Sequence, residues 1–154
     1  MRIGVLIASF FLFGIGALQA QQKNMLKLNH IAVYVENLQK STAFYKDVLQ
    51  LSETPEPFHD GLHTWFTLGA AGNLHLIQGA KKGVDREKND HLCFSTNDIK
   101  TFIDNLKKHQ VTYFDWPGKK GEITTRVDGV HQIYFQDPDG HWIEINDEQQ
   151  KTIN

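Results

Sequence analysis

The chain has 154 residues, of which 40% are hydrophobic, and its 16 Lys and Arg residues against 18 Asp and Glu residues give a formal net charge of −2. This size suits a single domain, and the lack of a basic balance excludes the electrostatic footprint of a nucleic-acid-binding protein. The only cysteine, Cys93, cannot form an internal disulfide. Its apolar neighbours, Leu92 and Phe94, favour a place in a pocket wall over an activated nucleophile.

Residues 1–20 have the pattern of a secretory signal peptide. Arg2 supplies a positive start, residues 3–18 are almost wholly apolar, and small residues precede a cleavage site after Ala20. The apolar run is shorter than the ~20 residues that a membrane-spanning helix needs. We therefore expect cleavage rather than a membrane anchor. The mature chain, residues 21–154, would be periplasmic or secreted, without stable membrane insertion.

In the first half, a predicted strand is followed by a helix and then by further strands. Residues 26–35 alternate between two faces, with Ile31 and Val33 on the same side. Asn37 is a favourable N-cap for a helix whose apolar residues continue to Leu49. Two more strands are predicted at residues 64–68 and 74–77, and residues 81–88 are predicted to form a charged linker.

The second half repeats this order. A strand over residues 90–95 leads through Asn97, the predicted N-cap, into a helix with apolar residues from Ile99 to Leu106. The last two strands are joined by residues 137–140, where Asp, Pro, Asp and Gly predict a tight turn. Further strands are predicted at residues 111–116, 132–136 and 142–146. The chain therefore predicts a duplicated α+β domain rather than a solenoid.

Histidines occupy the same place in the two halves, His30 in the first strand of one and His91 in the first strand of the other. Each half also closes on a strand with one ligand-type side chain, His75 or Glu144. Because side chains alternate across a strand, these four groups would face away from their apolar neighbours, into one cavity. A single His or Glu in a strand is more often an ordinary hydrogen-bonded or exposed residue. The hypothesis of one shared site therefore depends on the repeat of the pattern in both halves.

A divalent cation would remove the cost of burying a carboxylate without a partner. A His and Glu set without cysteine suits Zn, Fe, Ni, Co or Mn, and does not select among them. The other histidines show no such pairing and are interpreted as surface or pocket-rim residues: His59, His63, His109, His131 and His141. Of these, His63 shares a strand face with Trp65, where the two could line the cavity entrance or serve as ordinary packing.

These residues resemble the vicinal oxygen chelate superfamily, which includes glyoxalase I, bleomycin-resistance proteins and dioxygenases. Residues 30–35 and 41–49 look like the family's opening strand and helix, and residues 90–95 look like the opening strand of its second module. Residues 134–145 look like its closing hairpin, which is the more specific motif. The resemblance covers residues 26–148, nearly all of the mature chain.

The resemblance implies two βαβββ modules, about 26–80 and 89–148, that form a cupped mixed sheet around one divalent metal ion. The family's ligands match His30, His91 and Glu144, and the fourth ligand position falls on His75. Glyoxalase I has a glutamate at this fourth position, where it is thought to act as the catalytic base.

The activity that the resemblance implies is that of a metal-dependent lyase or isomerase similar to lactoylglutathione lyase, enolising a small oxygenated substrate. Glu144 or His75 would then also move a proton. Three alternatives stay open: an Fe(II) extradiol-type dioxygenase, a metal-dependent thiol transferase, and a binding protein without catalysis. The superfamily often forms homodimers, and the sequence leaves open whether one chain or two complete a site.

Overall fold

The computed structural model describes residues 26–149, so the predicted signal peptide lies outside the described residues. Within this range no helix has the length and apolar character needed to cross a membrane. The strands are β1 (His30–Val35), β2 (Ser52–Thr54), β3 (His63–Thr67), β4 (Asn73–Gln78), β5 (His91–Ser95), β6 (Thr124–Thr125), β7 (His131–Gln136) and β8 (Trp142–Asn146). The helices are α1 (Leu38–Ala43), which a π-helical turn (Phe44–Val48) continues, a short 3-10 helix (Gly69–Ala71), and α2 (Ile99–Lys108).

The strands form two four-stranded sheets, ordered β1-β4-β3-β2 and β5-β8-β7-β6. In each sheet the first strand runs parallel to the last strand of its module, and the other neighbours are antiparallel. Each half is therefore a βαβββ module, and the predicted α+β fold is confirmed.

One hydrophobic core serves both modules. It includes Val33 and Val35 from β1 and Ile143 and Ile145 from β8, together with buried residues of both helices. Burial of an aliphatic side chain of this kind contributes about 1.5–3 kcal/mol. The apolar faces of both sheets thus turn toward the shared core, and the alternating polar residues lie on the opposite faces.

The cap of the first helix agrees with the prediction, whereas the cap of the second helix differs from it by one residue. The Asn37 side chain caps α1 as predicted, accepting from the Lys40 N–H at 2.9 Å. However, α2 is capped by Asp98 rather than Asn97, because the helix begins one residue later and Asp98 Oδ1 accepts from the Thr101 N–H at 3.0 Å.

The predicted strand over residues 111–116 was wrong. Phe114 makes only isolated bridges, to Lys120 and Tyr134. The chain turns back directly afterwards, where Asp115 Oδ1 accepts from the Lys119 N–H at 2.6 Å, so no ladder can extend.

The tight turn between β7 and β8 connects the second module to the first. Asp137 is buried, and its Oδ2 accepts from the Tyr45 hydroxyl at 3.0 Å and pairs with His141 Nδ1 at 2.8 Å. Asp139 accepts from the Ser41 hydroxyl at 2.7 Å and from the Glu36 N–H at 2.6 Å. Burial, and then the charge of Asp137, raise the pKa of Tyr45 well above its usual value, so its hydroxyl remains a donor.

Replacing Tyr45 by Phe should therefore lower the free energy of unfolding by about 1.5–3 kcal/mol, because the ring stays in the core while a buried carboxylate loses one donor. The measurement is urea unfolding at neutral pH. Tyr113→Phe is the matched control, since its hydroxyl donates to the Gly121 carbonyl at 3.0 Å in an exposed position. Equal effects in the two variants would contradict a special role for the Asp137 contact.

Candidate functional site

His91 and Glu144 lie next to each other on the polar face of the second sheet. His91 Nδ1 is 2.8 Å from the Lys88 carbonyl oxygen, which can only accept, so Nδ1 carries the proton. The other ring nitrogen, Nε2, lies 3.4 Å from Glu144 Oε2. Nε2 and this carboxylate oxygen can share either a proton or a metal cation.

Hydrogen-bond donors hold Glu144 in position. The Tyr134 hydroxyl donates to Oε2 at 2.6 Å, and Asn146 Nδ2 donates to Oε1 at 2.9 Å. Burial by itself would raise the pKa of Glu144, but these two bonds, the Cys93 thiol and the charge of His91 together lower it. Glu144 is therefore an ionised carboxylate with a fixed orientation, as a metal ligand requires.

Cys93 belongs to this network as a weak donor. Its Sγ donates to Glu144 Oε1 at 3.3 Å. Burial of the sulfur, then this hydrogen bond and the charge of Glu144, raise the pKa of Cys93 to about 12. The thiol is thus a poor nucleophile at neutral pH.

Three aromatic rings surround the ammonium group of Lys88, the residue whose carbonyl orients His91. The Lys88 ammonium lies 4.9 Å from the ring centroid of Trp142, 5.3 Å from that of Tyr134 and 5.6 Å from that of Trp116. It also donates to the Trp116 carbonyl at 3.0 Å. These cation–π contacts hold the linker, and with it the carbonyl that accepts from His91.

His30 lies on the exposed face of β1, at the edge of the first sheet. Its Nδ1 is 2.7 Å from Asn29 Oδ1, so Nε2 is the ring nitrogen left to act as a ligand, as in His91. Its ring lies 5.1 Å from Trp65 and 5.8 Å from His75, measured between centroids.

His75 is almost fully buried, with 4% of its surface exposed. Trp65, its register partner on β3, stacks on it at a centroid distance of 4.4 Å, and Phe58 stacks at 5.9 Å. Its Nε2 lies 2.7 Å from His63 Nδ1. Burial, and then the nearby His63 and His30 rings, lower the pKa of His75, which keeps it neutral at pH 7.

His63 extends this cluster to a carboxylate. Its Nε2 is 3.3 Å from Asp60 Oδ2, and only 15% of its side chain is exposed. The sequence indicated the shared face of His63 and Trp65, which the structure shows packed around His75. It gave no sign of Asp60 or Phe58, because both come from the irregular loop before β3.

Trp65 carries an unusual polar atom. Among residues 26–149, its Nε1 is the one buried side-chain nitrogen or oxygen without a hydrogen-bond partner. A buried donor left unpaired costs about 1–3 kcal/mol, so it calls for an explanation.

The four predicted ligands form two separate pairs. His30 lies with His75 in the first module, and His91 with Glu144 in the second. In the described part of one chain, no three His, Cys, Asp or Glu side chains are grouped closely enough to hold a metal ion. The donor types nevertheless fit a divalent cation, because His30 and His91 each have Nδ1 bonded to an oxygen, which leaves Nε2 as the ligand atom, and Glu144 is ionised.

Comparisons with known proteins agree with this architecture. The chain is 30% identical over 125 residues to the metallothiol transferase FosB of Staphylococcus epidermidis, covering 77% of this chain and 80% of that protein. It is 25% identical over 128 residues to "Glyoxylase I 4" of Arabidopsis thaliana, covering 79% and 71%. The solved structure of "Oxidase ChaP-H2" matches with a TM-score of 0.67 at 25% identity, over 80% of this chain and 94% of that one.

Residues 27–145 match the pattern of the Glyoxalase/Bleomycin resistance protein/Dioxygenase superfamily. This match spans both βαβββ modules and confirms the resemblance seen in the sequence motifs. Members of this superfamily are mostly metal-dependent enzymes. The chain belongs to the Glyoxalase/Bleomycin resistance protein/Dioxygenase superfamily.

Proposed function

We propose that this protein is a divalent-metal-dependent enzyme that enolises a small oxygenated substrate. The observation that carries the proposal is the arrangement of His30, His91 and Glu144. Each histidine has Nδ1 bonded to an oxygen, which leaves Nε2 as the ligand atom, and the carboxylate is ionised and held by hydrogen bonds. Outer-shell contacts of this kind are typical of metal ligands in proteins.

A metal ion bound by these residues would act as a Lewis acid on a substrate oxygen. His75 lies beside His30 and is neutral, and His63 rather than open space faces its Nε2. These contacts favour His75 as the general base over a fourth ligand. His75 would take the proton from the carbon next to the polarised carbonyl, and the resulting imidazolium, whose proton can exchange with solvent, would protonate the neighbouring carbon.

The two halves of the site would meet in a homodimer. His30 and His75 lie on one sheet and His91 and Glu144 on the other, and both apolar faces are buried in the shared core. A two-fold axis would set the polar face of the first module of one chain against the polar face of the second module of its partner. This arrangement would complete the ligand set twice.

A second activity, Fe(II)-dependent oxidation, is favoured by one observation. With His75 as a base, the remaining ligands are two histidines and one carboxylate, the set typical of non-haem Fe(II) oxygenases. The relative named an oxidase is consistent with this activity. Oxygen consumption by the Fe(II)-loaded protein would separate it from metal-dependent proton exchange in D₂O, and thiol consumption would indicate transfer chemistry of the kind named for FosB.

Glu144→Gln and His75→Gln should separate metal binding from proton transfer. Each protein is loaded with Zn, Ni, Co, Mn or Fe, and its bound metal and its catalysis of deuterium exchange into a small 2-hydroxyketone are measured. We expect Glu144→Gln to lose both, and His75→Gln to keep the metal while exchange falls by about 10²–10⁴-fold. Glu148→Gln, which removes an exposed carboxylate paired with Arg126, is the control. Full metal content in Glu144→Gln would refute the ligand set.

Mixing two inactive variants tests the shared site. His30→Ala and His91→Ala each damage every site in a homodimer. After subunit exchange, however, a mixed dimer would hold one intact site and one doubly altered site. About half of the dimers are then mixed, so about a quarter of the wild-type sites should reappear. Metal content and exchange activity report this recovery, and a mixture as inactive as its components would show that one chain supplies all the ligands.

Trp65→Phe tests the cost of the unpaired N–H. The substitution keeps an aromatic ring against His75 but removes the buried N–H that has no hydrogen-bond partner. Thermal unfolding should show unchanged or raised stability, because a buried donor without a partner costs about 1–3 kcal/mol. Trp142→Phe is the control, because its Nε1 donates to the Arg86 carbonyl at 3.0 Å and its loss should lower stability. A large loss of stability in Trp65→Phe would show that the unpaired N–H is not a net cost to the fold.

A further inference from the structure

A line of three polar side chains runs from the loop before β3 to His75. Asp60 Oδ2 lies 3.3 Å from His63 Nε2, and His63 Nδ1 lies 2.7 Å from His75 Nε2. Phe58 covers the line, with its ring centroid 4.4 Å from that of His63. None of the superfamily's predicted ligands other than His75 takes part in it.

The charge of Asp60 fixes the direction of the protons along this line. A carboxylate only accepts, so the nitrogen of His63 that faces it, Nε2, carries a proton. A neutral His63 then has an unprotonated Nδ1, which can only accept. With His63 neutral, His75 Nε2 is therefore the donor, and the lone pair of His75 lies on Nδ1.

The Nδ1 atom of His75 lies outside this line of contacts. It makes no hydrogen bond within residues 26–149, and it is not among the buried unpaired atoms, so it is not sealed from solvent. The other ring nitrogen is fully engaged by His63. Nε2 of His75 thus orients the ring through its contact with His63, whereas Nδ1 is left for the reaction.

We propose that Asp60 and His63 are positioning residues that hold His75 in the Nε2–H tautomer and direct its Nδ1 lone pair to the substrate. The use of that lone pair as a base rests on the proposed function; the tautomer does not. In the reaction, Nδ1 takes the substrate proton and the C–H electron pair stays on the substrate as an enolate. The imidazolium that forms is stabilised through His63 by Asp60, and its Nδ1–H, which can exchange with solvent, then protonates the enolate to give the product, so the step needs no further reactant.

Asp60→Asn should reverse the protons along the line. Asp60 Oδ1 accepts from the Leu62 N–H at 2.9 Å, and this bond should hold the amide oxygen of the variant in the same place. The amide nitrogen must then face His63 Nε2 as a donor. His63 would carry its proton on Nδ1 and donate to His75, which would change from the Nε2–H to the Nδ1–H tautomer.

The measurement is long-range ¹H–¹⁵N NMR of the full-length protein without added metal, with the His75 signals assigned from His75→Gln. We expect at least about a tenfold preference for Nε2–H in wild type and for Nδ1–H in Asp60→Asn, the value of a hydrogen bond to a fixed partner. Because free histidine also favours Nε2–H, the reversal is the decisive result. Asp104→Asn, at an exposed carboxylate on α2, is the control and should leave His75 unchanged.

The positioning role of Asp60 and His63 and the role of His75 as the base can be refuted separately. If His75 keeps the Nε2–H tautomer in Asp60→Asn, or carries Nδ1–H in wild type, the positioning role is refuted whatever the activity. If the tautomer reverses but deuterium exchange by the metal-loaded variant is unchanged, the positioning role stands and His75 is not the base. His63→Phe gives a second check: it keeps the stack with Phe58 and should leave the two His75 tautomers mixed, whereas an unchanged preference would refute the role of His63.

Discussion

The alternation of side chains along the strands is the constraint on which the rest of this structure depends. In β1, Val33 and Val35 are buried while His30 and Tyr34 are exposed, and in β8 the flanking isoleucines enter the core while Glu144 faces the other way. Because both modules bury their apolar faces in one core, both polar faces turn away from it. The packing that stabilises the chain is therefore also what keeps its two pairs of candidate ligands apart.

The sequence predicted those features that depend on local pattern. Alternation gave the faces of His30, His75, His91 and Glu144, and the Asp-Pro-Asp-Gly turn was recognisable from its residue types. The sequence could not show that Asp137 in this turn binds Tyr45, 92 positions away. Nor could it show the three aromatic rings around Lys88, because they come from separate segments. Such contacts depend on how the modules pack, and no local periodicity records them. Export of the chain stays a prediction.

The two modules differ in electrostatic character although they share a fold. The second surrounds Glu144 with donors, which favours the ionised carboxylate and suits a cation. The first places His75 between aromatic rings, and burial lowers its pKa, which favours a neutral imidazole. A duplicated scaffold has thus acquired one anionic half and one neutral, aromatic half. Such a difference is expected if one half binds a metal cation and the other transfers the proton to and from the carbon atoms of the substrate.

This division gives the proposed dimer a functional consequence. Under the proposed function, His75 on the first sheet would have no polarised substrate beside it within one chain, and Glu144 on the second sheet would have no base. Enolisation needs both at once, because proton removal is favourable only where the developing negative charge on oxygen is stabilised. A monomer would then be inactive even with its His75 tautomer correctly set, since orientation of the base is local to one module whereas stabilisation of the enolate is not. Assembly, rather than folding of either module, would be the step that creates the catalyst.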